Sequence, residues 1–220
     1  MTGRSPEREK HQGVGVSANP VTAALLLLAL FGGTARAEEA PIVTQRVDRR
    51  FVQKTGRAEL SLGLGYLARG DFYQNVGLEG TIGYWLDESL ALEAQAALYH
   101  AGDTDATDQV RRDLGFVPNA HREQSSVTVG GRWSIAYGKA LVGQETVVHF
   151  DPQVFGHVGL HSAEDAIGPM ADFGFALGAR PKRWLELRLD VAIVLQAEER
   201  RDGWAPLLGF KPLVSVGFML

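Results

Sequence analysis

The chain has 220 residues, no cysteine, and 22 basic against 26 acidic side chains, which gives a formal net charge of −4 at pH 7. This length suits one domain or two small ones. The lack of cysteine excludes a disulfide framework, a thiol nucleophile and a lipid-modified N-terminal cysteine. The acidic balance and the lack of a basic run exclude nucleic acid as an expected partner.

The N-terminus has the pattern of a secretory signal peptide. Basic residues stand near the start, at Arg4, Arg8 and Lys10. They precede the apolar run "VTAALLLLALFGG" and the tripeptide "ARA" that ends at Ala37. A basic region, a short apolar core and an Ala-x-Ala site indicate export and cleavage. The run of 13 residues is too short to cross a bilayer as a helix. We therefore predict a cleaved signal peptide over residues 1–37.

The next segment, residues 38–56, shows no sustained alternation of apolar and polar residues. It contains "RVDRR" and Lys54, which make it locally basic. We predict that this N-terminal segment lies in the periplasm, ahead of a barrel domain over residues 57–220. The pattern leaves open whether the segment enters the barrel or extends away from it.

From residue 58 onward, apolar and polar residues alternate along almost the whole chain. The stretch "WLELRLDVAIVL" is the clearest example, because its apolar residues alternate with Glu186, Arg188 and Asp190. Alternation predicts a β-strand, since successive side chains leave opposite faces of the strand. The pattern predicts eight strands, over residues 58–66, 76–86, 90–99, 127–137, 148–160, 171–180, 184–195 and 214–220.

Two features favour a membrane barrel over the alternative, an exported β-sandwich. On the polar faces, Gly, Ala, Ser and Thr stand between single charges, as expected where space is scarce inside a narrow barrel. The connections also alternate in length. Short ones occupy 87–89, 138–144 and 181–183, and mostly longer, more charged ones occupy 68–75, 101–124, 161–169 and 196–206. Outer-membrane barrels have short periplasmic turns and longer external loops.

We therefore predict an all-β protein, an eight-stranded antiparallel up-and-down transmembrane β-barrel, in the outer membrane of a Gram-negative bacterium. Outer-membrane lipid is then one of its partners. Aromatic residues near the strand ends are predicted to form two girdles at the membrane interfaces. One girdle contains Tyr66, Phe72 and Tyr73, and the other contains Tyr84, Trp85, Tyr137 and Trp184.

The charged residues on the polar faces are predicted to fill the interior of the barrel. Eight strands enclose a space just wide enough for side chains, which disfavours a conducting channel. Buried charges must pair, because an unpaired one costs several kcal/mol. The charges nearest to mid-strand predict a central polar network of Glu79, Glu93, Arg132, Arg188 and Asp190.

Histidines near one rim raise the question of catalysis. The stretch "HFDPQVFGHVGLH" directs His149, His157 and His161 to one face. An enzyme needs a nucleophile or a metal-bound water beside its base, and Ser162 next to His161 is the only pairing of this kind. The alternative is an ordinary polar lining with a loop histidine, and it is the one we favour.

The sequence does not predict a metal or cofactor site. His149 and Asp151 would supply only two of the four ligands that zinc requires. The loop aspartates Asp103, Asp105 and Asp108 begin like a calcium loop but lack its central Gly and its closing Glu. We therefore predict no catalytic residue, no metal site and no cofactor.

The stretches "VDRRFVQKTGRAELSLGLGYLARGDFYQN", "YGK" and "HFD" resemble a family of outer-membrane β-barrel proteins best known from myxobacteria. Some members of this family belong to the envelope machinery of adventurous gliding motility. The resemblance extends from about residue 47 to the end of the chain. It implies an outer-membrane location and, for some members, association with periplasmic and surface partners. It implies no catalytic residues.

Two classes of function follow from these observations. In the first, the protein is a non-enzymatic barrel that anchors or scaffolds an envelope complex. Its protein partners would bind through residues 38–56 or through the long external loop at 101–124. In the second, it is a small lipid- or ligand-active barrel that uses its rim histidines.

Overall fold

The computed structural model describes residues 52–69, 72–115, 121–142, 146–164, 166–200 and 203–220. The predicted signal peptide, 1–37, and residues 38–51 of the predicted periplasmic segment lie outside these ranges. No helix of the described residues is long and apolar enough to cross a membrane.

The described residues form nine strands and a helix. The strands are β1 (Ala58–Leu67), β2 (Tyr73–Trp85), β3 (Leu90–Asp103), β4 (Glu123–Ser134), β5 (Gly138–Val142), β6 (Thr146–Ala163), β7 (Ala166–Lys182), β8 (Leu185–Arg200) and β9 (Gly203–Met219). The helix α1 (Asp105–Leu114) lies between β3 and β4.

The described strands close into a barrel of eight positions. Neighbouring strands pair antiparallel, in the order β4-β3-β2-β1-β9-β8-β7-β6, and a further pairing between β4 and β6 completes the circle. The short β5 pairs with the same edge of β6 as β4 does, so β4 and β5 occupy one position. The predicted eight-stranded antiparallel barrel is confirmed. We call the end that carries α1 the loop end, and the end that carries Leu220 the base.

The break between β4 and β5 coincides with a proline in the facing strand. The pairing of β4 ends at Ser134 opposite Gln153, and that of β5 begins at Gly138 opposite Phe150. Pro152 lies between these two points, and proline has no backbone N–H to donate to a sheet. The predicted turn at 138–144 is therefore wrong in part, because its first residues form β5.

The barrel has an exposed apolar exterior and a buried polar interior. On β1, for example, Leu64 is 64% exposed, whereas the neighbouring inward positions Glu59 and Ser61 are buried. The same inversion runs along β8, where the outward residues are Leu187, Leu189, Val191, Ile193 and Leu195. A closed barrel satisfies its backbone hydrogen bonds internally, which lets such an exterior lie in lipid. The leucines of the alternating strands form a membrane-facing band.

Two predicted long loops are strands instead. Residues 161–163 and 166–169 belong to β6 and β7, and residues 196–200 and 203–206 belong to β8 and β9. Charged side chains made these stretches resemble loops. Beyond the apolar band a strand can carry polar residues on its outer face, because that face meets water. The hairpins β6–β7 and β8–β9 thus extend past the band at the loop end.

The aromatic residues divide between the two faces of the strands. Tyr66, Tyr84 and Trp184 face outward, as the girdle prediction requires. Trp85 and Tyr73 are 1% and 8% exposed and lie inside the barrel, so their assignment to a girdle is wrong. Tyr84 and Trp85 are consecutive in β2, and consecutive residues of a strand cannot face the same side.

Candidate functional site

The candidate site is the charged interior of the barrel, which runs from the base to the loop end. Its inward charged side chains are almost all buried. Most of these side chains are on the following residues: Glu59, Glu79, Glu93, Arg132, Asp151, Asp172, Arg180, Glu186, Arg188, Asp190 and Lys211. Alternation places these residues on one face, and closure of the sheet brings that face together.

Two arginines organise the centre of the interior. Arg132 on β4 donates to Glu93 on β3, with 2.8 Å between Nη2 and Oε2. Arg188 on β8 contacts Asp190 at 3.0 Å and Glu59 on β1 at 3.2 Å. Glu59 also lies 4.0 Å from Arg132 and so links the two arginines. Four of the five residues of the predicted network, all but Glu79, are therefore connected through Glu59.

Among the described residues, Glu79 is connected to this centre through residues that the predicted network did not include. Lys211 on β9 donates to Glu79 at 2.8 Å and lies 3.4 Å from Asp172. His157 lies between Asp172, at 2.7 Å, and Glu93, at 3.3 Å. The alternation pattern shows that these side chains face inward. Their mutual contacts depend on strand register, which the pattern does not carry.

At the base, the described end of the N-terminal segment, residues 52–56, enters the barrel. Lys54 is buried, donates to Asp151 and Ser134, and lies 3.9 Å from the centre of the Trp85 ring. Val52 packs with Trp85 and neighbouring apolar residues of the base. The described end of the segment, residues 52–56, therefore closes the base, a placement that the sequence left open.

Replacing Lys54 by Met should destabilise the barrel without preventing its assembly. Asp151 would lose its ammonium partner but keep Arg180, at 3.6 Å, so we expect a loss of about 1–3 kcal/mol in the free energy of unfolding. Urea unfolding in lipid vesicles, followed by tryptophan fluorescence, measures this change. Lys182→Met is the matched control, since Lys182 is exposed. Equal midpoints for the two variants would contradict an anchoring role for Lys54.

At the loop end, a second group of buried polar side chains joins four parts of the barrel. Arg69, which follows β1, contacts Glu123 at 2.6 Å, and both side chains are fully buried. Glu123 on β4 also lies 3.2 Å from His161 on β6 and accepts from Gln196 on β8 at 3.2 Å. We call Arg69, Glu123, His161 and Gln196 the loop-end cluster. It ties the ends of the extended hairpins to the rest of the barrel.

His161 and Ser162, the only pairing in the sequence that suggested catalysis, face opposite sides of β6. His161 is buried inside the barrel, whereas Ser162, as the next residue of the strand, faces the opposite side. The His161 ring nitrogens lie 3.2 Å from Glu123 and 3.2 Å from the Ala197 carbonyl. The histidine therefore holds the loop-end cluster together and is not aimed at a serine.

His149 and the aspartates do not assemble a metal site. His149 lies at the base and contacts the Tyr137 hydroxyl at 2.5 Å. Within the described ranges, no three His, Asp or Glu side chains converge as metal ligands. Asp105 and Asp108 lie in the first turn of α1, where carboxylates favour the helix dipole.

The helix α1, in the loop predicted to be external, has recognisable end signals that were missed in the sequence. Thr104 is the N-cap and accepts from the Thr107 N–H at 3.2 Å. Gly115 ends the helix at φ 72°, a left-handed conformation that favours glycine. Arg111 and Arg112 stand in the last turn. Thr, early acids, late bases and a closing Gly together indicate a helix.

Asp103 fixes the position of this helix. Arg111 donates to its Oδ2 at 2.8 Å and Arg122 to its Oδ1 at 3.0 Å. The hydrogen bond from Arg111, with that from Arg122, holds the pKa of the Asp103 carboxyl below its ordinary value. Asp103 lies beyond Leu98, the last leucine of the apolar band on β3.

A lowered carboxyl pKa predicts that the helix loop loosens only in acid. The ionised Asp103 stabilises the position of the helix at any pH above the ordinary carboxyl pKa. This stabilisation is lost as the pH falls through the lowered pKa. At pH 7, Asp103→Asn should therefore speed amide hydrogen exchange over residues 104–115, and wild type should match it only in acid. Asp113→Asn, at an exposed position of α1, is the control. Unchanged exchange in Asp103→Asn would refute this role.

Part of the interior is empty but very narrow. A crevice there is lined by Gly65, Gly77, Glu79, Ala97, Tyr99, Lys211 and Leu213. It has no room for a water molecule. This crevice is therefore not a water-filled passage.

No protein-family model matches the chain, and no curated protein matches it in sequence. Solved structures do match. One, from the de novo design of transmembrane β-barrels, is 14% identical with a TM-score of 0.41, over 77% of this chain and 99% of that one. Another, Ail, the attachment invasion locus protein of Yersinia pestis, is 10% identical with a TM-score of 0.39, over 76% and 99%. By its own architecture, the chain is an eight-stranded transmembrane β-barrel of the outer-membrane type with an ion-paired interior.

Proposed function

We propose that the protein is a non-enzymatic barrel that anchors or scaffolds an envelope complex in the outer membrane of a Gram-negative bacterium. One observation carries the proposal: the buried loop-end cluster ties together the parts of the barrel that extend beyond the apolar band. The pair Arg69–Glu123 is fully buried there. A projecting surface that is held rigidly is suited to binding a protein partner, because its contact residues are already in place.

The proposed partners are envelope proteins, and two regions are offered to them. The first is the external loop at 101–124, in which α1 carries exposed charged side chains. The second is the N-terminal segment, residues 38–56, whose described end is anchored in the base by Lys54. The family resemblance extends the proposal to gliding-motility machinery as the complex that is anchored.

Co-purification tests this proposal directly. The full chain would carry an affinity tag between β8 and β9 and be extracted from outer membranes in mild detergent. We expect envelope proteins in stoichiometric amounts. Recovery of the barrel without protein partners would contradict the scaffold, and recovery from the soluble periplasm would contradict the membrane location.

Two variants locate the partner surface. Replacing residues 105–114 by a Gly-Ser linker should remove partners of the external loop while the barrel still assembles. Replacing residues 38–50 by a similar linker should remove partners of the N-terminal segment. A gel-mobility test for the folded barrel separates loss of binding from loss of folding. Full partner recovery in both variants would exclude both proposed surfaces.

A further inference from the structure

The solvent-accessible charges of the described residues are divided unequally between the two ends of the barrel. At the base, the exposed or half-buried Lys, Arg, Asp and Glu side chains are Arg57, Lys139, Lys182 and Arg183 against Asp87 and Glu88. At the loop end they are Arg111, Arg112 and Arg122 against Asp103, Asp105, Asp108, Asp113, Glu164 and Glu199. Over the described residues, the surface of the base is therefore net positive and that of the loop end net negative.

Strand register brings three of the basal cations into one sector of the rim. Lys139 on β5 pairs with His149 on β6, and His149 pairs with Arg180 on β7. Neighbouring strands lie about 4.8 Å apart, so Lys139 stands about 10 Å from the strand that continues into Lys182 and Arg183. We call Lys139, Lys182 and Arg183 the basal arc.

The two acidic side chains of the base lie in a different sector of the rim. Asp87 and Glu88 belong to the turn between β2 and β3. Asp87 accepts from the Leu90 backbone N–H at 2.8 Å, and Glu88 accepts from the Lys54 backbone N–H at 3.1 Å. These carboxylates hold the turn and the entering segment, and they do not lie within the basal arc.

Lys182 directs the basal arc toward the membrane. Its Nζ lies 5.4 Å from the centre of the Trp184 ring, within the range of a cation–π contact. Trp184 stacks on Phe218, with 5.9 Å between the ring centres. Both rings face outward, with exposed fractions of 50% and 43%. Because tryptophan at the edge of an apolar band marks the level of the lipid headgroups, the Lys182 ammonium is held at that level.

We propose that the basal arc binds the headgroup of an anionic phospholipid such as phosphatidylglycerol. The lipid phosphate would meet the Lys182 ammonium and the Arg183 guanidinium, while the acyl chains lie along the apolar band beside Phe218. Guanidinium and phosphate form paired, charge-assisted hydrogen bonds. A choline lipid carries a cation of its own beside the phosphate and so gains less from a basic surface. This inference rests on the proposed membrane location and not on the scaffold role, which co-purification tests separately.

Lipid retention tests the proposal. The full-length barrel would be reconstituted in vesicles of phosphatidylglycerol and phosphatidylcholine in equal amounts with identical acyl chains, then extracted in mild detergent and weighed by native mass spectrometry. We expect phosphatidylglycerol to be retained about tenfold over phosphatidylcholine, which is within what two basic side chains at a membrane surface supply. Equal retention of the two lipids would overturn the proposal.

A double variant locates the site. Lys182→Gln with Arg183→Gln removes two charges from the basal arc, and we expect the preference to fall to about twofold or less. The exchange of Lys182→Arg with Arg183→Lys conserves the charge and is the matched control, so it should keep the preference. A folded double glutamine variant that keeps the full preference would exclude the basal arc as the site. Loss of the preference in the charge-conserving control would contradict attraction between charges as its cause.

Stability gives an independent readout of the same binding. A ligand that binds only the folded barrel raises its stability, so wild type should unfold at a higher urea concentration than the double glutamine variant in vesicles of phosphatidylglycerol. The two should unfold alike in phosphatidylcholine, and the difference should shrink at high salt because salt screens exposed charges. A difference of equal size in phosphatidylcholine would show that these side chains stabilise the fold itself, and it would overturn the lipid assignment.

Discussion

Replacing Arg132 by Met is expected to lower the free energy of unfolding of the barrel by about 3 kcal/mol. Arg132 is 1% exposed and contacts Glu93 at 2.8 Å and Glu59 at 4.0 Å. Met occupies a similar volume but has no charge, so both carboxylates would lose a cation inside the barrel. Removing one partner of a buried pair costs more than the pair contributes, because the other charge remains buried.

Urea unfolding in phospholipid vesicles measures this effect, and Arg112→Met is its matched control. Arg112 lies exposed on α1, outside the interior. The same substitution there should change the free energy of unfolding by less than about 0.5 kcal/mol. Equal unfolding midpoints for the two variants would remove Arg132 from any central role in the interior.

Gly130→Val is expected to lower the free energy of unfolding of the barrel by about 3 kcal/mol, so that most of the protein molecules fail to fold. A Cβ at Gly130 would lie 2.6 Å from the Cα of His157 on the neighbouring β6 and would also strike the Gly156 carbonyl oxygen. Both contacts are with backbone, which cannot move aside as a flexible side chain can. The two strands would have to separate in the middle of the sheet.

Gly80→Val introduces the same side chain on the other face of the barrel. A Cβ at Gly80 meets nothing within 4 Å, so valine would point into lipid. We expect this variant to fold like wild type. The fraction of compact barrel on an unheated detergent gel compares the two variants. Normal folding of Gly130→Val would contradict the close approach of β4 and β6.

Alternation along the chain was enough to predict the closed barrel and the direction of most side chains. The period of two is a local property, since each residue of a strand faces opposite to the one before it. This is why Glu93, Arg132 and Arg188 could be assigned to the interior from the sequence. The errors fall where the two faces no longer differ, as at 161–169 and 196–206, where strands leave the membrane and both faces carry polar residues.

The contacts of the candidate site could not be predicted in the same way. Lys211 meets Glu79, and His157 joins Asp172 to Glu93, across residues far apart in the chain. Such pairs depend on the register of each strand, and a shift of one residue would turn every side chain to the other face. Alternation gives the face of a residue but not its height in the barrel.

The sequence by itself determined which residues face lipid and which face inward, because that choice depends only on local periodicity and on the cost of burying charge. Only the tertiary structure decided which charges meet and how Lys54 closes the base. Those features arise when the last strand pairs with the first. Closure brings together residues from opposite ends of the chain, and no local pattern specifies their register.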